Sequence, residues 1–97
     1  MSETQAASLP ATVSGRVQGV GFRYFVLDTA TSLNLTGWVR NRRNGDVEVL
    51  AEGPRPDLEA LLRRLNRGPT SSYVEDVKHR WGAANGEFER FRIRMTA

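Results

Sequence analysis

Two glycines separate a segment that alternates with period two from one with helical spacing, and this junction constrains the chain more than any other feature. Ahead of it, from Ala11 to Val17, the residues Val13, Gly15 and Val17 share one face, the pattern of a half-buried strand. Behind it, from Arg23 to about Asn34, Phe22, Val26, Ala30 and Leu33 recur at helical spacing, opposite Asp28, Thr31 and Ser32. Between the two runs Val17-Gln18-Gly19-Val20-Gly21-Phe22-Arg23. Glycine lets the backbone turn tightly and approach a ligand closely. The first turn of a helix leaves several N–H groups without partners, all aimed forward. Such a junction suits a phosphate, and Arg23 adds a planar fork of donors that matches phosphate oxygens. A cation at a helix start opposes the helix dipole, so an anion in front of the loop is the simplest reason for Arg23.

The remaining periodicities complete an element order. Thr36 to Arg42 reads as a strand, Arg43-Asn44-Gly45 as a tight turn, and Asp46 to Glu52 as its hairpin partner. Gly53-Pro54-Arg55-Pro56 breaks that strand, and Pro56 fits the first turn of a helix. Leu58, Leu61, Leu62 and Leu65 form its apolar stripe, which is core, and Gly68-Pro69 ends it. Tyr73 to Trp81 reads as a fourth strand and Phe88 to Arg94 as a last one. The order is β-α-β-β-α-β plus a final strand. The expected architecture is an α+β, ferredoxin-like two-layer sandwich, with two helices on one face of an antiparallel sheet. A flexible leader is expected over residues 1–10 and a single domain over 11–97.

Composition narrows the chemistry. A chain of 97 residues supports one core. The absence of cysteine excludes disulfides, thiolate nucleophiles and zinc–thiolate sites, and a single histidine, His79, excludes a His-rich metal centre. No metal site and no cofactor are expected. The stretch Met1 to Ser8 lacks the basic and apolar regions of a signal peptide. No apolar run approaches membrane-spanning length, so no membrane partner is expected and a cytoplasmic location is. The net charge of +3 and pI near 10.2 raise the possibility of nucleic acid as a partner. The basic residues are nearly all arginine, with Lys78 the single lysine, and they are scattered along the chain. So modest a surplus mainly favours solubility and the steering of anions.

The glycine junction, the later run Gly37-Trp38-Val39-Arg40-Asn41 and the turn Asn44-Gly45 together resemble the acylphosphatase family. That family carries Val-Gln-Gly-Val-x-Phe-Arg early and Gly-Trp-Val-x-Asn soon after. The resemblance continues through Asp46-Val47-Glu48-Val49, Glu52-Gly53 and Gly68-Pro69, from about Val13 to the C-terminus. Two departures stand out: Asn34 where the family usually has glycine at the end of the first helix, and Asn44-Gly45 where it often has Asp-Gly. Asparagine tolerates the left-handed conformation, and Asn-Gly is a favoured hairpin turn, so both fit.

The resemblance implies a metal-independent hydrolase that splits the carboxyl–phosphate bond of an acyl phosphate into a carboxylate and inorganic phosphate. It makes Gln18, Gly19, Val20, Gly21, Phe22 and Arg23 a phosphate-binding loop whose backbone N–H groups are the ligands. It gives Asn41 the task of positioning the attacking water. Asn41 on its own resembles a turn residue, yet it shares a strand face with Gly37 and Val39, where a polar side chain needs partners or a role. Trp38, on the opposite face, is expected to pack. Arg40, Arg42 and Arg43 are expected to be solvated and at most to attract anionic substrate. Arg90, Arg92 and Arg94 suit a charged outer face that discourages edge pairing. His79 receives no catalytic role.

A nucleic-acid-binding domain on the same fold is the alternative. Such RNA modules stack bases on aromatic residues of their central strands. Here the first strand displays Thr12, Ser14 and Arg16 and the third offers valine and glutamate, so nucleic acid is not the expected partner. A third reading, an acyl-phosphate-binding domain of a larger maturation enzyme, ranks lower than a stand-alone monomer.

Overall fold

The computed structural model describes residues 6–97. In chain order the elements are β1 (Ala6–Arg16), α1 (Phe22–Ser32), β2 (Thr36–Asn41), β3 (Val47–Pro54), α2 (Arg55–Arg67), β4 (Tyr73–His79), β5 (Gly82–Ala83) and β6 (Phe91–Ile93). The strands form one sheet in the order β4-β1-β3-β2-β6, with β5 pairing with β1 beyond the end of β4. Both helices lie on one face, α1 over β2 and β6, and α2 over β1, β3 and β4. The expected α+β sandwich is therefore what forms.

Alternation determines which face the helices cover. Leu9, Ala11 and Val13 of β1, Val39 of β2, and Val47, Val49 and Ala51 of β3 point to the helices and are buried. They meet Phe22, Val26 and Ala30 from α1 and Leu58, Leu61 and Leu65 from α2. Complete burial of a leucine contributes about 1.5–3 kcal/mol, so the three α2 leucines account for much of what holds that helix to the sheet.

Two expectations are corrected. The sheet is mixed, because β6 runs parallel to β2, with Gly37 opposite Phe91 and Val39 opposite Ile93. β4 runs antiparallel to β1 and finishes at the end of the sheet where β2 begins. The chain crosses to the far edge and enters β6 from that same end, so it runs alongside β2 without reversing. The leader is also shorter than residues 1–10, because Ala6 to Pro10 pair with Pro54 to Leu50. The strand tolerates Pro10 because its partner on that side is interrupted there. β4 ends opposite Ala11, β5 starts opposite Ser8, and the Pro10 carbonyl accepts the Arg80 N–H at 3.1 Å. Residues 1–5 of that leader lie outside the described residues.

The helix ends follow local chemistry. Asn34 takes φ 57°. Its N–H donates to Thr31 at 3.0 Å and that of Leu35 to Ala30 at 2.9 Å, the two bonds of a Schellman stop. α2 carries Asp57 in its first turn and Arg64 and Arg67 in its last, as its dipole favours. α1 does the opposite at its start, with no acidic residue in its first turn and Arg23 there instead.

Candidate active site

β1 and β2 are both antiparallel to β3, hence parallel to each other, and their C-terminal ends lie at the same end of the sheet. Val13 and Asn41 both sit opposite Val47. The glycine loop that follows β1 and the residue that ends β2 are thus brought to one edge by strand register alone.

Gly19 and Gly21 have φ 73° and 79°, values that L side chains rarely adopt. A Cβ added at either would meet nothing within 4 Å. Conformation, not crowding, requires glycine at both, and the loop has open space beside it. Gly21 is the N-cap of α1 and offers no side chain to the first-turn N–H groups. Arg23 is half-buried in that turn. Phe22 is different in kind. Its ring is buried and packs edge-on against Phe25 at 5.8 Å, so only its backbone is available to a ligand.

Gln18 also turns its side chain inward. Its Nε2 donates to the Arg42 carbonyl at 2.6 Å and to the Asp46 carbonyl at 2.8 Å, the two residues that flank the hairpin turn. The turn is closed by Arg42 N–H to Asp46 at 2.8 Å and Gly45 N–H to Arg42 at 3.1 Å, while Asn44 Oδ1 accepts from the Asp46 N–H at 3.0 Å. The loop and the hairpin are therefore one hydrogen-bonded unit, with Asn41 immediately before the hairpin.

Asn41 has the face that alternation indicated, and its Oδ1 is buried without a hydrogen-bonding partner. An orphaned buried acceptor costs about 1–3 kcal/mol, so its retention calls for a reason. On the other face Trp38 is packed under guanidinium groups, Arg40 at 4.7 Å and Arg94 at 5.1 Å from its ring centre. Arg40 and Arg42 are not simply solvated, since both reach Glu48 Oε1, at 2.9 and 3.1 Å. Arg43 is exposed. His79 is exposed and lies edge-on to Trp81, 6.2 Å between ring centres, away from the glycine loop.

Two neighbours of this edge escaped sequence reasoning. The chain beyond β6 follows β2 to its end, with Arg94 N–H to Val39 at 2.9 Å, Ala97 N–H to Asn41 at 3.1 Å and Arg43 N–H to Ala97 at 3.0 Å. The turn after α2 touches the loop through Ser71, whose hydroxyl donates to the Val20 carbonyl at 3.1 Å. Gly68-Pro69 signalled a helix stop, but no spacing in the sequence points from that stop to a loop some fifty residues earlier.

Known proteins resemble this chain in sequence and in fold. The acylphosphatase family model matches residues 9–93. An acylphosphatase of Syntrophotalea carbinolica is 52% identical over 83 residues, covering 86% of this chain and 90% of its own. The crystal structure of acylphosphatase from Bacillus subtilis superposes with a TM-score of 0.87 at 41% identity, covering 91% of this chain and 98% of that one. Full-length HypF, solved in a phosphate- and nucleotide-bound form, contains a similar domain (TM-score 0.85, 32% identity) that covers 95% of this chain and 12% of HypF. A match across most of both sequences, joined to the same fold, means that the chain belongs to the acylphosphatase family, whose activity is acyl phosphate hydrolysis.

Proposed function

We propose that Gln18 to Arg23 hold the phosphoryl group of an acyl phosphate, that Asn41 orients the attacking water, and that hydrolysis needs no metal. The observation that carries this reading is the unpartnered, buried Oδ1 of Asn41, on a strand end that Gln18 ties to the glycine loop. A water that donates to this oxygen is held at the same edge of the sheet as the glycine loop.

The chemistry asks little of the protein. Water attacks phosphorus, the bond from phosphorus to the carboxyl oxygen breaks, and the carboxylate leaves with the electron pair. Carboxylate is a good leaving group, so no strong general acid is required. Positioning and electrostatic stabilisation then supply most of the acceleration. The backbone N–H groups and the Arg23 guanidinium hold the equatorial oxygens more tightly as charge develops. The water's proton passes to a phosphoryl oxygen of the substrate. Among the described residues no three carboxylate or imidazole groups cluster as a metal site. The nucleic-acid alternative draws no support from the outer face, where Trp38 is covered and unavailable for stacking.

The test is hydrolysis of a chromogenic acyl phosphate before and after exhaustive dialysis against chelator, with Arg23→Gln alongside. Turnover of the unaltered protein should survive dialysis. Hydrogen bonds to a charged group contribute about 1.5–3 kcal/mol each, and a guanidinium can make two. Arg23→Gln should therefore lose most activity and much of its inhibition by inorganic phosphate. Near-normal turnover by that variant, or a chelator loss restored by one metal, would end the respective part of the proposal.

A further inference from the structure

The turn after α2 is a stiff brace against the glycine loop. The Gly68 N–H closes α2 on Arg64 at 2.8 Å, and both the N–H and the hydroxyl of Ser72 bond the Pro69 carbonyl, at 2.9 and 2.7 Å. Gly68 lies so close to the Phe22 ring that a Cβ there would fall 3.0 Å from Cε2. From this brace Ser71 Oγ donates to the Val20 carbonyl at 3.1 Å, joining residues 51 positions apart.

That bond acts on a particular peptide plane. The Val20–Gly21 bond is trans, so its carbonyl and the Gly21 N–H point in opposite directions. A donor that holds the carbonyl toward the 68–72 turn necessarily turns the Gly21 N–H the other way. The helix does not do this itself, because its first bond runs from the Phe25 N–H to the Gly21 carbonyl, one residue later, at 3.0 Å. Gly21, with φ 79° and no Cβ, offers little steric resistance to rotation of this plane. We infer that Ser71 is a positioning residue that aims the Gly21 N–H at the phosphoryl group, so that phosphate affinity depends on a hydroxyl outside the glycine loop. The inference rests on the reading of residues 18–23 as the phosphate cradle.

Calorimetric titration with inorganic phosphate, joined to steady-state hydrolysis of a chromogenic acyl phosphate, tests it on Ser71→Ala, Ser71→Thr and Arg23→Gln. The Gly21 N–H stays beside the phosphate in the variant, so losing its aim forfeits only part of a hydrogen bond to a charged group, which corresponds to a rise of about threefold to tenfold in phosphate Kd. Ser71→Ala should show that rise together with a matching rise in KM and an unchanged thermal midpoint, and kcat should fall too, because the mis-aimed N–H no longer tightens on the phosphoryl oxygens as charge develops. Ser71→Thr, which keeps the hydroxyl, should restore all three constants. A normal phosphate Kd in Ser71→Ala beside a lost one in Arg23→Gln overturns the role of Ser71 and leaves the cradle standing. A loss in Ser71→Ala that threonine fails to rescue also overturns it. Normal phosphate binding by Arg23→Gln as well would remove the cradle reading, and this inference with it.

Discussion

The side-chain nitrogen of Gln18 donates to the carbonyl oxygen of Arg42 at 2.6 Å, across 24 positions of sequence. A second bond from the same nitrogen reaches Asp46 at 2.8 Å. One amide thus makes the geometry of the glycine loop dependent on the hairpin that begins one residue after Asn41. A glutamine serves because two converging carbonyl oxygens require a group with two donors, and a primary amide nitrogen has two.

Removing that amide should loosen both parts. In Gln18→Ala the two carbonyls keep their hairpin bonds, so the cost is that of two partly buried hydrogen bonds, about 1–3 kcal/mol in all. For a domain of this size each kcal/mol lowers the thermal midpoint by roughly 4–8 °C. Gln18→Glu should be worse than Gln18→Ala, because an ionised carboxylate only accepts and would face two carbonyl oxygens. Thermal unfolding of the two variants checks the order. A glutamate variant as stable as the unaltered protein would show that the tie carries no load.

The end of α1 offers a gain in stability. Asn34 is the one non-glycine residue with positive φ among the described residues, at 57°. Asparagine pays part of the left-handed penalty, while glycine pays none but gains more freedom in the unfolded chain. Asn34→Gly should therefore stabilise the domain by less than about 1 kcal/mol, with turnover unchanged, since the residue lies at the end of α1 remote from the glycine loop. A fall in the thermal midpoint would mean that the asparagine side chain makes a contribution beyond its backbone tolerance.

Much of the fold was legible because periodicity and punctuation are local. The stripe Leu58, Leu61 and Leu65, the Asn44-Gly45 turn and the helix stop at Asn34 each follow from residues within a few positions of one another. The direction of β6 was not legible, because Phe91 to Ile93 pair equally well with a neighbour running either way. What makes β6 parallel is the route of the chain after β4, a global property. Ala6 to Pro10 were obscured by the polar start of the chain, and the gap between β4 and β5 that accommodates Pro10 exists only in three dimensions. At the candidate site, the glycines and Arg23 announced themselves locally, as two glycines at a strand-to-helix junction and a cation at a helix start. Gln18 and Ser71 break no local rule, and their contacts at 24 and 51 positions are set by the packing of elements.

Asn41 provides the sharpest separation of chemistry from stability. Its buried Oδ1 has no partner within the protein, so the fold gains no internal hydrogen bond from that oxygen and bears the cost of withdrawing it from bulk water, which a single bound water offsets only in part. Asn41→Ala removes the cost along with the proposed water ligand. The thermal midpoint should hold steady or rise, as at sites where function is kept at the expense of stability. Phosphate affinity should remain close to that of the unaltered protein, because the amide is proposed to hold water and not the phosphoryl group. Turnover should fall by about 10²–10³, the usual loss when one aligned polar group is taken from such a site. If Asn41 served only to shape the approach to the hairpin, the variant would instead be destabilised, with turnover near normal and rescue by Asp or Ser. Phosphate affinity, turnover and thermal midpoint measured on one sample of Asn41→Ala distinguish the two, and a destabilised but active variant would leave the attacking water without its partner.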